Sequence, residues 1–274
     1  MTEILCRELF AAAGVPVARA GHARVELNVR DAGLYVLVEG YNKRFLKQHF
    51  RDASGHLYDS EFMHDVGEPL KCSRVKTLKR GAPSSDFGAA RALKRESVEG
   101  LKRESPNRAD LQALAAACEE RLLTPTLSSD EEERGRDSRL RSLESLLDMD
   151  RFYSFLALEI MTCHFDGYAR GINNYRIYHE PEGEALERES VQAWKREDGE
   201  STPHPGPLLG RGGEGSGKMV FMPHGMDQMF YQPESSLFPE LKGVVAKAVL
   251  ETAEGRRRNF ANGAPSCSLT FFVR

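Results

Sequence analysis

The sequence predicts an α+β fold, and three observations carry that reading. Apolar residues Ile4, Leu5, Leu9 and Phe10 recur at helical spacing in the opening segment. Val25, Leu27 and Val29 alternate with Arg24, Glu26 and Asn28, the period of a half-buried strand. Farther along, Phe152, Phe155, Leu156, Ile160 and Met161 make a broad apolar face on a second helix, and strand-like segments follow it.

Taken in order, the first helix is stopped by Gly14 and then Pro16. The strand Ala23–Val29 leads into a turn at Arg30-Asp31-Ala32-Gly33. Leu34–Val38 is a continuous apolar run of strand length, expected as a central strand buried on both faces. It ends at Glu39-Gly40, and Asn42 is placed to cap a helix through Phe45, Leu46 and Phe50. Gly55 breaks the chain before a short strand, His56-Leu57-Tyr58. Ala109–Leu123 reads as a helix with Leu111, Leu114, Ala115 and Cys118 on one face. Asp148 or Asp150 caps the helix that carries Phe152, which ends near Phe165-Asp166-Gly167-Tyr168. Asn173–Tyr178 and Lys218–Met222 read as strands, and Phe238–Glu254 as an amphipathic helix.

Composition bounds the function classes. The 274 residues are 40% hydrophobic and 29% charged, enough apolar material for a core. The formal charge of −3 supplies no general basic field, so nucleic-acid binding is not expected without a local patch. The longest apolar-rich run, Phe152–Cys163, contains Glu159 and is too short to span a bilayer, so no transmembrane segment is expected. The opening residues lack the basic-then-apolar order of a signal peptide, and a cytoplasmic chain is the expectation. Cys6, Cys72, Cys118, Cys163 and Cys267 are scattered without a CxxC pair, which suits reduced thiols and gives no zinc-ligand spacing around Cys163-His164.

The composition is also uneven. Ten Lys and Arg residues between Lys71 and Arg103 are set among few large apolar residues, either a basic surface for an acidic partner or a solvated connector. Leu123–Gly135 and Ser201–Gly215 carry no apolar period, and both resemble translated interspersed bacterial DNA repeats. On that basis Glu182–Gly217 reads as a disordered insertion. The glycines of Gly210–Lys218 lack the order of a phosphate loop, since Met219 follows Lys218.

The chemistry concentrates between Asp148 and Asp227. Asp166, Asn173, Asn174 and Asp227 fall at the ends of predicted elements, and hard oxygen ligands on loops suit a magnesium and phosphate site. Each Asp alone would also serve as a cap or turn residue.

Five segments in order resemble the CotH kinase family of atypical, protein-kinase-like spore-coat enzymes. They are LFAAAGVPVAR (Leu9–Arg19), GLYVLVEGYNKRFLKQHF (Gly33–Phe50), GHLYD (Gly55–Asp59), FDGYARGINNYRIY (Phe165–Tyr178) and VFMPHGMDQMF (Val220–Phe230). The resemblance implies a protein-kinase-like, CotH-type fold and magnesium-assisted transfer of the ATP γ-phosphate to a protein Ser or Thr. It implies Asp166 as the catalytic-loop Asp and Asn174, with Asn173, as metal-binding amides. Asp227 would be the metal-binding Asp, Glu39, Gly40 and Tyr41 the hinge that meets adenine, and Glu8 the partner of a nucleotide-binding Lys. About 25 residues separate Asp166 from Asp227 once the insertion is removed, the strand–turn–strand length of kinase-like folds.

The sequence also departs from the pattern. Gly171 stands five residues after Asp166 where kinases place Asn, and Gln228-Met229 follow Asp227 in place of Phe-Gly. Asp59 stands where the family commonly has a basic residue, and no glycine-rich phosphate loop follows a strand. The resemblance thus leads to an expected division into 1–70, a small-lobe remnant with an incomplete N-terminal lobe; 71–108, the basic connector; 109–181, large-lobe helices and catalytic loop; 182–217, the insertion; 218–263, the metal-binding loop and C-terminal helix; and 264–274, a tail. Three readings follow: an ATP-dependent protein kinase, a catalytically inactive CotH-like remnant acting as a binding module, and a protein that binds an acidic partner through residues 71–103.

Overall fold

One antiparallel sheet, buried on both faces, organises the chain. The computed structural model describes residues 2–60, 62–75, 101–103, 108–119, 129–181, 217–230, 234 and 236–263. Within them, helix α1 (Thr2–Ala12) is followed by strands β1 (Ala20–Leu27) and β2 (Arg30–Val38) and helix α2 (Lys43–His49). Strands β3 (His56–Asp59), β4 (Lys71–Val75) and β5 (Leu101–Arg103) come next, then helices α3 (Ala109–Glu119), α4 (Ser129–Leu146) and α5 (Met149–Met161). A short helix α6 (Tyr168–Gly171), strands β6 (Tyr175–His179) and β7 (Met219–Pro223), a 3₁₀ turn (Met226–Gln228), and helices α7 (Val244–Leu250) and α8 (Ala253–Gly263) complete it. The mixed α+β class is as expected. Among the described residues no helix is long and apolar enough to cross a membrane.

The main sheet runs β5-β4-β3-β6-β7. Its period of two sends alternate residues to separate cores. Tyr58, Ile177 and Phe221 enter a large core with Phe10 of α1 and Phe152, Phe155 and Leu156 of α5. Leu57, Tyr178, Val220 and Met222 enter a smaller one with Tyr41, Phe45, Leu46 and Phe50 around α2. Phe221 is the hinge of the larger packing, with ring centroids 5.0 Å from Phe152, 4.9 Å from Tyr168 and 5.7 Å from Tyr175. Cys6, Cys72, Cys118 and Cys163 are buried, and burial pushes the thiols of Cys6 and Cys118 up to about 12. Cys267 lies outside the described residues.

Strands β6 and β7 pair from Tyr175↔Pro223 to His179↔Met219, and the Glu180 amide donates to the Lys218 carbonyl at 3.4 Å. The two ends of the intervening segment are therefore held side by side. Residues 182–216, which fall in the segment expected to be an insertion, and most of the basic stretch between Lys71 and Arg103 lie outside the described residues; β4 and β5 occupy the two ends of the basic stretch.

Four expectations are corrected. The turn between β1 and β2 falls at Asn28–Val29, both at positive φ (50° and 65°), not at Arg30–Gly33. Such φ values at both central residues are those of a two-residue hairpin turn. The turn-forming residues Asp31 and Gly33 serve instead a register shift between Val25 and Glu26. Second, Leu34–Val38 is not buried on both faces. The hairpin forms a sheet of two strands only, and Leu34 and Leu37 are 70% and 62% exposed. An apolar run reveals capacity for burial, whereas burial also needs a second layer. Third, the lack of an apolar period over Leu123–Gly135 predicts no element there, yet Ser129–Gly135 is the first part of α4. Fourth, the single helix expected over Phe238–Glu254 is two, α7 and α8, broken at Glu251-Thr252.

Candidate active site

The loop after α5 assembles the first part of the site. Asp148 caps α5 by accepting from the Arg151 amide at 3.1 Å, and the helix carries a buried Glu159 at its far end. Glu159 Oε1 accepts from the Tyr168 amide at 3.0 Å, and Oε2 from the Ala169 amide at 2.8 Å, satisfying the first N–H groups of α6. Its Oε1 also lies 3.2 Å from His164 Nδ1, and neither side chain has any exposed surface. Gly167 is required here, since a Cβ would fall 2.4 Å from Glu159 Oε1. The loop that presents Asp166 is thus fixed from below by one buried carboxylate.

Above it, Asp166 is gripped by two amides. Asn173 Nδ2 donates to Asp166 Oδ1 at 3.1 Å, and Asn174 Nδ2 donates to Oδ2 at 2.7 Å and to the Asp166 carbonyl at 2.9 Å. Ile172 and Asn174 adopt positive φ (53° and 50°), the conformations that turn the chain back toward Asp166. The structure thus brings Asp166, Asn173 and Asn174 together.

The loop after β7 closes over Asn174. The His224 amide donates to the Asn174 carbonyl at 2.8 Å, and His164 Nε2 lies 3.2 Å from the Gly225 carbonyl oxygen. Gly225 has φ +53°, and a Cβ there would lie 2.4 Å from Asn174 Oδ1. Asp227, two residues on, is exposed in the 3₁₀ turn, against which α1 packs. Glu8 is exposed on α1 and does not line the neighbouring cleft; the buried residue next to it, Arg7, pairs instead with Glu3 and donates to the Ala18 carbonyl at 2.7 Å.

That cleft, of about 360 Å³, is lined by Val38, Glu39, Gly40, Tyr41, Leu57, Asp59, Arg176 and His224. Glu39 is held by Arg19 through contacts of 2.9 and 3.0 Å; burial raises its pKa, but the bonds from Arg19 outweigh that and leave it below the ordinary value. The Tyr41 hydroxyl donates to the Pro223 carbonyl, joining the segment after β2 to the end of β7. Arg176 makes a two-point ion pair with Asp59 (3.0 and 3.1 Å) and lies 4.4 Å over the Tyr41 ring. Burial lowers the pKa of His224, and the nearby Arg176 lowers it further. Glu39, Gly40 and Tyr41 therefore share one cleft with the loop that continues to Asp227.

A family model described as CotH kinase protein matches residues 1–194. The chain belongs to the CotH kinase family. The match covers the hairpin, the cleft residues Glu39–Asp59 and the Asp166–Asn174 loop; the β7 loop with Asp227 lies beyond it and joins the CotH-matched part through His164, Asn174 and Tyr41. No curated protein matches the chain.

The structure also brings together a group that no sequence spacing announces. His56 of β3, Asp110 of α3 and His179 of β6 offer ligand atoms that all lie within 4.8 Å of one another. Their separation along the chain, 69 residues between Asp110 and His179 alone, hides them from motif reading. The signal that exists is the strand register, which sets His56 opposite His179.

Proposed function

We propose that the chain is a protein-kinase-like enzyme of the CotH type, which transfers the ATP γ-phosphate to a serine or threonine hydroxyl of a protein substrate with magnesium. The observation that carries this reading is the double amide grip on Asp166, in a loop tied through His164 and Asn174 to the loop of Asp227. A carboxylate held in one orientation at the mouth of a loop suits a group that orients a hydroxyl and takes its proton.

The residues fit a magnesium ion. Asn174 spends its Nδ2 on Asp166, and its Oδ1, packed close against Gly225, remains an acceptor. With Asp227 and Asn173 the donor set is all oxygen, the preference of a hard divalent cation. Bound magnesium would offset negative charge on the transferring phosphoryl group. The backbone groups of Glu39, Gly40 and Tyr41 would meet adenine, and a cleft of about 360 Å³ is at the small end of nucleotide-sized sites.

One observation favours the non-catalytic alternative. Among the described residues Arg176 is the one Lys or Arg lining the cleft, and it is already committed to Asp59 and Tyr41. A phosphate would have to compete with that carboxylate. The two readings separate on nucleotide binding. Thermal melting with ATP and magnesium, repeated on Asp227→Ala, should show stabilisation of the parent chain that the variant loses. A parent chain whose melting does not respond is a binding module or remnant, not a kinase.

A further inference from the structure

We propose that His56, Asp110 and His179 form a binding site for a divalent transition metal of the zinc type, with three protein ligands and an open coordination position. The site lies on the other face of β3 from the cleft: His56 and Tyr58 reach Asp110, whereas Leu57 and Asp59 line the cleft. The His56–His179 pair also stands three residues, about 10 Å, along the strands from the Asp59–Arg176 pair. The proposal is therefore independent of the kinase reading and of its magnesium residues.

The ligand types decide the metal class. Two imidazoles and one carboxylate suit zinc and its transition-metal neighbours, whereas magnesium and calcium favour all-oxygen sets. The geometry is near to what such an ion needs. His56 Nδ1 lies 3.7 Å from Asp110 Oδ2, and His179 Nδ1 lies 2.7 Å from the same oxygen. Ligand atoms at about 2.1 Å from a tetrahedral ion stand about 3.4 Å apart. The first distance already satisfies that, and the second must open by less than about 1 Å as the proton between His179 and Asp110 gives way to the ion. The displaced proton passes to solvent.

The surrounding groups orient the ligands as metal sites require. The Tyr58 hydroxyl donates to Asp110 at 2.7 and 2.8 Å, and the Leu111 amide donates to it at 2.8 Å. His179 Nε2 lies 3.3 Å from the Gly217 carbonyl, the contact that fixes the other ring nitrogen as the ligand. The side chains of His56, Asp110 and His179 are 30%, 12% and 25% exposed, so an ion can enter from solvent without the core opening.

The test uses the purified full chain stripped with a chelator, then titrated with Zn²⁺ against a chromogenic competitor and with Co²⁺ by visible absorption. One equivalent should bind, with the bands of a four- or five-coordinate Co²⁺ centre. His56→Ala and His179→Ala should each weaken binding at least ~10-fold, and Asp227→Ala should leave it unchanged. His56→Gln keeps the strand position filled should the alanine variant misfold, and it should weaken binding likewise. Absence of stoichiometric uptake by the parent chain, or uptake indifferent to both histidine positions, overturns the proposal.

Discussion

His164 joins the two loops of the candidate site: its Nδ1 lies 3.2 Å from Glu159 Oε1 and its Nε2 lies 3.2 Å from the carbonyl oxygen of Gly225. One fully buried imidazole therefore sets the distance between the Asp166 loop and the Asp227 loop. His164→Ala removes both bonds and leaves a cavity beside a buried carboxylate. A loss of about 2–4 kcal/mol in urea unfolding is expected. An unfolding midpoint within error of the parent would show that the loops are held by other contacts.

Asp166→Asn preserves shape but removes the proton acceptor. Phosphotransfer should fall by about 10²- to 10⁴-fold, while ATP affinity measured by calorimetry stays within about threefold because the cleft residues are untouched. Parallel loss of both would assign Asp166 to nucleotide binding.

Gly225→Ala meets two obstacles at once, a backbone at φ +53° and a Cβ 2.4 Å from Asn174 Oδ1. The loop must move away from Asn174 to accept it. A destabilisation of about 1–3 kcal/mol is expected, together with weaker magnesium-dependent ATP binding. Equal nucleotide affinity in the variant would separate the position of Gly225 from the site's chemistry.

His49 gives the fold an acid sensitivity. Burial against Phe45, 4.4 Å away between rings, holds its folded pKa at about 4, below the ~6.5 of an unfolded histidine. As pH falls, the unfolded chain takes up the proton first, so the contribution is full above about 6.5 and drains away down to about 4. Allowing for partial exposure, the swing is about 2 kcal/mol. His49→Gln should flatten that part of the stability–pH curve relative to the parent; superimposable slopes would refute the assignment.

Replacing residues 182–216 by a short turn should leave the melting temperature unchanged or raised. The ends are already side by side at Glu180 and Lys218, so a shorter connection lowers the entropy of closure. A fall of many degrees would mean that the segment contributes to the core.

Much of this was legible locally. Asn42 and Asp148 cap their helices through the side-chain oxygens that their residue types offer, and the Asp166–Asn174 cluster follows from a short loop. What was not legible depends on layers and register. Leu34 and Leu37 read as core because apolarity was all the sequence could reveal, and the fold places no second layer over them. His56, Asp110 and His179 meet only because β3 and β6 pair in one register and α3 starts beside them. Val29 at positive φ gives no local hint, since a β-branched residue disfavours that conformation.

The bond from Tyr41 to the Pro223 carbonyl spans 182 residues. At about 5–20 residues per second on a ribosome, the first wall of the cleft waits roughly 10–40 s for the second to be made. Until then α2 lacks Tyr178, Val220 and Met222, the strand residues with which Phe45 and Leu46 share a core. The cleft therefore closes only late in synthesis, after most of the chain has been made.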